Sequence, residues 1–456
     1  MLQVHPTMVD ELAMSMPERV HLPGSPEYGD AVAIWNGAVT ERPAAVVRPT
    51  SSGDVRNVVR FAHEQRIPIT VRAGGHDWGG RALNEGGLVI DLSSMRKVYI
   101  DPAAREALVE GGATAEDVVQ AAERHGLTAA APNLADVGFT GFTLGGGYGP
   151  LNGIAGLGVD NLLEAHVVLA DGRSVTANAA DEADLLWALR GGGANFGVVT
   201  HLRVRLHPVP HLATGVLMFP WEQAADVMRR YDALAPSLPD GLTAQIGVIP
   251  APDGGPVVFV APYWVGDPDE GDRWVAELRR LGTPVVDQVA PMSPSAQLRL
   301  LDPLVPRGRH YEMRTVNVDT LSPGVIDALV AAGSSRTSPA SVLALHHFHG
   351  ASTRVGLTDT AFGLRTPHFL VEIVAAWDAD SDDDGERHRR WAQSTFDALG
   401  AHALPGGYPN LIGPDQRNQA DTAYGPNAER LLAAKDRWDA GNVFTAIPLP
   451  SRSSTS

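Results

Sequence analysis

The amino-acid sequence predicts an α+β fold. Three observations carry this: residues 44–208 alternate short apolar runs with amphipathic helical patterns, residues 209–404 change to strand-like runs separated by helices, and residues 405–446 hold Gly, Pro and Asn punctuation before one last helix. At 456 residues the chain exceeds what one core needs, so two or three packed units are expected.

In the first stretch AAVVRP, IPITVRA, GLVIDL, EALVEGG, AHVVLADG and GVVTHLRVRLHP read as strands, because apolar runs rich in β-branched residues end at Pro, Gly or Asp. DVRNVVRFAHEQR and TAEDVVQAAERHG repeat apolar residues at three and four and read as helices, capped by Ser52 or Asp54 and by Thr114. In the second stretch LATGVLMF, TAQIGVI, VVFVAPYW, SVLALHHFHG and HFLVEIVAAW read as a sheet, with helices over 222–235, 268–281, 323–332 and 383–399 covering one face. ADSDDDGE at 379–386 reads as a solvated acidic connection, NAERLLAAKDRWD as the closing helix with Gly441 after it, and SRSSTS as a disordered tail.

Composition excludes several function classes. With 44% hydrophobic and 20% charged residues the chain falls among folded soluble proteins rather than disordered, fibrous or membrane ones. A formal net charge of -17 repels a phosphate backbone and no Lys/Arg stripe opposes it, so nucleic acid is not an expected partner. The absence of cysteine excludes disulfides, thiolate nucleophiles, Cys-ligated zinc and iron–sulfur clusters. The first residues lack the basic start and apolar run of a signal peptide, and no 18-residue apolar stretch follows, so a cytoplasmic location without membrane contact is expected.

Three glycine clusters stand out: RAGGHDWGG at 72–80, LGGGYG at 144–149 and RGGGANFG at 190–197. Such runs bring backbone N–H groups close to an anion, because no Cβ intervenes, and they suit a pyrophosphate. Neither GxGxxG nor GxxxxGK[ST] occurs, so the Rossmann and Walker fingerprints are not supported. Taken singly, each run reads as a tight turn; three in one stretch favour the cofactor reading.

VRAGGHDWGG at 71–80, VGFTGFTLGGGYG at 137–149, LWALRGGGANFGVVT at 186–200 and YGPNAERLLAAKDRWDAGNVF at 424–444, in that order, resemble the berberine-bridge-enzyme-like branch of the vanillyl-alcohol-oxidase flavoprotein superfamily. The resemblance implies a PCMH-type FAD-binding domain of two α/β subdomains over residues 1–208 with its core at 41–208. It further implies a substrate-binding domain over 209–404, with an antiparallel sheet covered by helices, and a C-terminal segment, 405–456, that returns to the FAD domain. FAD is the implied cofactor. In the family the first segment holds the pyrophosphate and its histidine is bonded to the flavin 8α-methyl; those places are Arg72, Gly74, Gly75, Asp77 and His76 here. A lone histidine is more often structural, and only the matching loop raises His76 above that reading. An imidazole so bonded withdraws electrons and raises the flavin's potential, which eases hydride abstraction.

Many relatives attach FAD a second time through a cysteine at the place of Leu134, so a single histidyl link is expected here. Val137 matches a place where small aliphatic residues accompany oxidase behaviour, which favours dioxygen as acceptor. With Gly138, Thr143, Leu144, Gly145, Gly146, Gly147, Asp160, Asn161, Gly193, Asn195, Gly197 and Val199 it is implied to line the cofactor, largely through backbone groups; the Asp160-Asn161 pair also reads as a turn or cap.

Relatives remove a substrate proton with a tyrosinate or carboxylate, drawn from the substrate domain or from a C-terminal Tyr-x-Asn-Tyr. This chain reads Tyr408-Pro-Asn410-Leu411, so Asn410 is kept and the second hydroxyl is lost. Either the substrate needs no base, or the base is open among His310, Tyr311, His347, His349, Glu372 and Tyr408. On a strand His347 and His349 point to one face and His346 to the other. Relatives have Gly-Gly-Ala where this chain has His349-Gly350-Ala351, which singles out His349 as a substrate contact or base against the equal reading of a satisfied core histidine. No third ligand accompanies the His-x-His spacing, so no metal is expected. Arg314 reads as an anion contact or an ion-pair partner. The expected activity is hydride transfer from a small organic substrate (alcohol, amine, sugar or natural-product intermediate) to FAD, with O2 reduced to H2O2. A dehydrogenase with poor oxygen reactivity and a non-redox cyclase or binding protein on the same scaffold are the alternatives.

Overall fold

Three sheets follow one another along the computed structural model, which describes residues 6–251, 254–379 and 385–452. In the first, Ala45–Val47, Leu88–Asp91 and Ile69–Arg72 run parallel with Val20–His21 antiparallel at one edge. Parallel neighbours need a crossover, supplied by the helix Ser52–Gln65. Its cap is Ser51 rather than Ser52 or Asp54: Ser51 is the last extended residue, and its hydroxyl accepts the Asp54 N–H at 3.2 Å.

The second sheet is antiparallel, in the order Val98–Asp101, Glu106–Glu110, Val198–Pro208, Leu162–Val168, Ser174–Asn178, with Leu127–Ala129 also paired to Val198–Pro208. Thr114 caps the helix Ala115–Glu123 as expected, in a reciprocal box with Asp117.

The third sheet runs Val286–Asp287, Leu217–Phe219, Pro256–Val265, Leu242–Pro250, Val342–Phe348, His368–Trp377, His310–Val318, all antiparallel. The run LATGVLMF divides into Leu212–Thr214 and Leu217–Phe219 at Gly215, where φ is +149° and a Cβ would lie 2.2 Å from the Gln288 carbonyl. His310–Val318 was not expected as a strand, since Glu312, Arg314, Thr315 and Asn317 interrupt its apolar pattern, yet it pairs along its whole length with His368–Trp377. Of the expected acidic connection, residues 380–384 lie outside the described residues, as do 453–456 of the tail.

Strand alternation assigns the two faces of this sheet. Leu343, Leu345, Phe369, Val371, Ile373, Val316 and Val318 share one core with the helices Ala224–Leu234, Pro323–Ser334 and Glu386–Gly400. Tyr311, Met313, Val374 and Ala376 on the other face meet Trp35 and Trp78 from the first part of the chain, and Phe348 and Leu370 meet Tyr148 and Tyr408.

His347, expected as catalytic, lies on the helix-covered side, and His349, expected likewise, follows the strand end and adjoins Gly153. His347 stacks on His349 at 4.4 Å and on Phe369 at 4.9 Å, and meets the edge of Tyr231. Burial, followed by the neighbouring histidine charge, lowers the His347 pKa to about 3; burial lowers that of His349 to about 4. A histidine whose folded pKa lies below its unfolded value near 6.5 binds a proton more readily when unfolded. Stability from such a group is complete above pH ~6.5 and is lost as pH falls toward ~4. Chemical denaturation at pH 7 and pH 5 should therefore show stability declining with acid. His347→Phe should remove about 2 kcal/mol of that decline; an unchanged pH slope in the variant contradicts a neutral buried imidazole.

Candidate active site

The first two glycine segments cross at backbone contact. A Cβ on Gly74 would lie 2.2 Å from the Gly138 nitrogen, and one on Gly138 would lie 2.4 Å from the Gly74 nitrogen. Gly75, at φ +70°, follows, and a Cβ there would meet Arg72 Nε at 3.1 Å and an Arg307 guanidinium nitrogen at 3.6 Å. Two guanidinium groups thus flank the turn at Gly74-Gly75.

His76 emerges from this crossing mostly buried, with its Nε2 2.6 Å from the Asp136 carboxylate. The other Asp136 oxygen accepts from Arg307 at 2.7 Å. Burial alone would raise the Asp136 pKa, but hydrogen bonds and charge from His76 and Arg307 hold it at about 2. The imidazole stacks on Trp35 at 5.4 Å, and Trp35 stacks on Tyr311 at 3.7 Å, so the first glycine segment is braced against the third sheet. Asn36 ties the same surfaces by hydrogen bonds to Trp78 and Tyr311.

The second segment is closed by the C-terminal part of the chain. A Cβ on Gly145 would strike Asn410, and one on Gly146 would lie 2.5 Å from the Tyr408 ring. The Tyr408 oxygen accepts from Gly147 N, Tyr148 N and Asn410 Nδ2 at 3.0–3.2 Å. Burial raises its pKa despite those donors. Tyr408, expected as a catalytic group, is placed as a clamp on the glycine run. Tyr311, also expected as catalytic, donates its hydroxyl to the Pro306 carbonyl, and its pKa is raised by burial.

In the third segment Asn195 accepts from Ala446 N and donates to Ile447 O, and its carbonyl accepts from Lys435. Lys435 is one of only two lysines in the chain, and its ammonium also meets Asp439 and Phe444 O, three acceptors for three protons. Gly193 donates to the Leu144 carbonyl, Gly197 packs on Val167, and the Val199 and Leu144 side chains lie in the core.

Three expected cofactor residues have side chains engaged by the protein itself. Asp77 is held by the backbone and guanidinium of Arg81. Asp160 forms a two-pronged buried ion pair with Arg365 and accepts from Leu157 N, while Asn161 bonds Ala155 O, Leu157 O and His207. The turn reading of that pair is what the structure contains. Arg314 is likewise an ion-pair partner, of Glu312 and Asp415.

On the sheet face turned toward the glycine segments, His346 Nε2 lies 3.2 Å from Glu372 and 3.1 Å from the Gln245 amide. An imidazole nitrogen that donates to a carboxylate cannot accept from an amide, so a single proton decides which contact is the hydrogen bond. His310 lies at the strand edge against Trp377. Sequence reasoning passed over Trp35, Asp136 and Arg307, and placed His346 on the face opposite His347 without a role. Asp136 adjoins Val137-Gly138; Arg307 carried no local signal.

The FAD binding domain family matches residues 43–178, and the berberine and berberine-like family matches residues 407–447. The FAD-linked oxidoreductase aurO of Gibberella zeae is 30% identical over 98% of this chain and 88% of its own length. The chain belongs to the berberine-bridge-like FAD-linked oxidoreductases. An uncharacterised FAD-linked oxidoreductase of Bacillus subtilis, YvdP, is 31% identical over 95% of this chain and 98% of its own. The crystal structure of 6-hydroxy-D-nicotine oxidase from Arthrobacter nicotinovorans superposes with a TM-score of 0.86 at 27% identity, over 96% of this chain and 98% of that one.

The site of this FAD-linked oxidoreductase fits a flavin dinucleotide. Among the described residues, the buried atoms Arg72 Nε, Thr140 Oγ1 and Thr143 Oγ1 have no protein partner. Buried polar atoms are seldom left unpaired, and these lie in or next to the first two glycine segments. No group of three metal-ligating side chains occurs among the described residues, and no helix there is long and apolar enough to cross a membrane. Gly138→Ala should force the two segments apart at a cost of about 1–3 kcal/mol. It should leave a folded protein with little flavin, read as the ratio of visible to ultraviolet absorbance after purification; full flavin content in that variant contradicts the crossing as the cofactor's support.

Proposed function

We propose that this oxidoreductase is an oxidase carrying FAD on a single link to His76, with Glu372 as the general base. The pairing of Glu372 with His346, on the sheet face opposite the helices and turned toward the glycine segments, supports the reading most directly. A base must reach the substrate proton and hold a pKa suited to receiving it. Glu372 is partly exposed, and its partner His346 can stabilise either protonation state. Tyr148, whose hydroxyl is hydrogen-bonded to His368, and the clamped Tyr408 border the same face.

In this reading Glu372 takes the proton from a substrate O–H or N–H, and the apolar face around Leu370 and Phe348 limits water. The bound flavin supplies the hydride acceptor. The half-buried Val137, at the start of the second glycine segment, supports dioxygen as the final acceptor, with H2O2 as product. A small alcohol, amine, sugar or natural-product intermediate is the substrate class, and the likeness to a hydroxynicotine oxidase supports an amine among these.

The test is anaerobic reduction of the bound flavin by members of these classes, followed by air. One equivalent of peroxide per reduced flavin is expected; rapid reduction without peroxide makes the protein a dehydrogenase, and no reduction by any class leaves a non-redox role. Glu372→Gln should slow flavin reduction by about 100-fold or more while binding continues. An unaltered reduction rate removes Glu372 as the base.

A further inference from the structure

We propose that Phe259, leaning over Gly247 beside the small Ala344, forms a slot for a flat apolar ring and makes the substrate an arylalkyl amine rather than a sugar. The inference rests on the reading of Glu372 as the base and adds what lies beside it.

The third sheet turns covered and bare ground toward the glycine segments. Trp35 and Trp78 cover it around Tyr311 and Val374, and Tyr148 and Tyr408 cover it around Phe348 and Leu370. A further part, where Ile249, Val257, Phe259 and Ala344 cluster with Met218 and Val342, differs. Among the described residues no side chain from residues 1–208 joins that cluster. The bare part is apolar.

Strand pairing fixes the order of side chains across it. One row runs Met218, Phe259, Gly247, Ala344, Glu372, and the next runs Ala261, Gln245, His346, Leu370. Neighbouring strands lie about 4.8 Å apart, so roughly 10 Å separates Gly247 from Glu372, with only the Ala344 methyl between them. A Cβ on Gly247 would lie 2.9 Å from Phe259 Cε1, so that ring leans over Gly247. The result is a gap with an aromatic ring at one end, a carboxylate at the other and a methyl group as floor. A planar ring fits it, because aromatic pairs settle in offset or edge contacts with centroids about 4.5–7 Å apart.

Polar partners are confined to one end. Gln245, His346 and Glu372 lie there in contact with one another, while Ile249, Val257 and Val342 offer no hydrogen bond from their side chains. A sugar carries hydroxyls on every side and would lose its bonds to water against those residues without replacement. A ring with one polar arm loses none. Glu372 is also the only Asp, Glu, Lys or Arg that alternation places on this face among the described strands of the sheet. The arm that complements a lone carboxylate is a basic amine, not a carboxylate or phosphate. Phe259 and Ala344 are thus specificity residues, and Glu372 remains the catalytic one.

The experiment uses the holoenzyme as purified, with 2-phenylpropan-2-amine and 1,5-anhydroglucitol as probes that resist oxidation and titration calorimetry as the readout. Wild type should bind the amine about 100-fold more tightly than the sugar analogue. Phe259→Leu, which nearly conserves volume but removes the flat face, should weaken the amine about three- to tenfold. Ala344→Leu, which fills the floor, should weaken it about tenfold or more. Equal affinity for the two probes, or an amine affinity unchanged in either folded variant, overturns the slot. If Phe259→Leu does not fold, Ala344→Leu decides alone. Anaerobic reduction of the flavin by benzylamine is followed separately in wild type and Glu372→Gln. Equal rates there remove Glu372 as the base, while the two affinities still judge the slot.

Discussion

The whole site depends on one steric fact, the backbone contact between Gly74 and Gly138. No other residue type fits either position, because any Cβ would lie within about 2.5 Å of a main-chain nitrogen. The contact binds the end of a parallel strand in the first sheet to the start of a short helix on the second. By doing so it brings His76, two residues after one glycine, beside Asp136, two residues before the other. Flexibility is a minor part of what these glycines contribute; close approach is the larger part.

Around that crossing the chain closes from both ends. Trp35 and Asn36 reach from the N-terminal region to Tyr311 on the third sheet, while Tyr408 and Asn410 reach from the C-terminal region to the glycine run at 145–147. Lys435 locks the last helix to Asn195 and to the irregular segment at Phe444. The three glycine segments are thus each held by residues distant in sequence, so the site forms only when all three sheets have assembled. Polar side chains of the matching segments likewise serve the protein itself: Asp77, Asp160 and Asn161 fix their own loops through intraprotein bonds.

Much of this was legible in the sequence. The repeated apolar spacing of 54–66 and the Thr114 cap specify helices from local chemistry alone, and the glycine clusters stand out for the same reason, since their signal is also local. Harder to read was anything set by pairing across the chain. His310–Val318 carries Glu312 and Arg314 in its middle and reads as irregular, but its strand character comes from nine partners on His368–Trp377 and from ion pairs that only the fold creates. The same limit governed the catalytic candidates. Alternation separated His346 from His347 and His349, yet which set faced the glycine segments depended on where the helices lay. The helices took the His347 side, so Tyr231 and Phe369 enclose that histidine, and His346 and Glu372 pair on the opposite face.

The central claim is that the glycine crossing holds a flavin by its histidine, between the first segment and the Glu372 face of the third sheet. A crystal structure of the protein purified with its cofactor measures this most directly. The account predicts electron density continuous from the His76 imidazole into a tricyclic ring lying along that face, with Asp136 still on Nε2. Density for the ring on the helix-covered side, or none reaching the Gly74–Gly138 crossing, contradicts it.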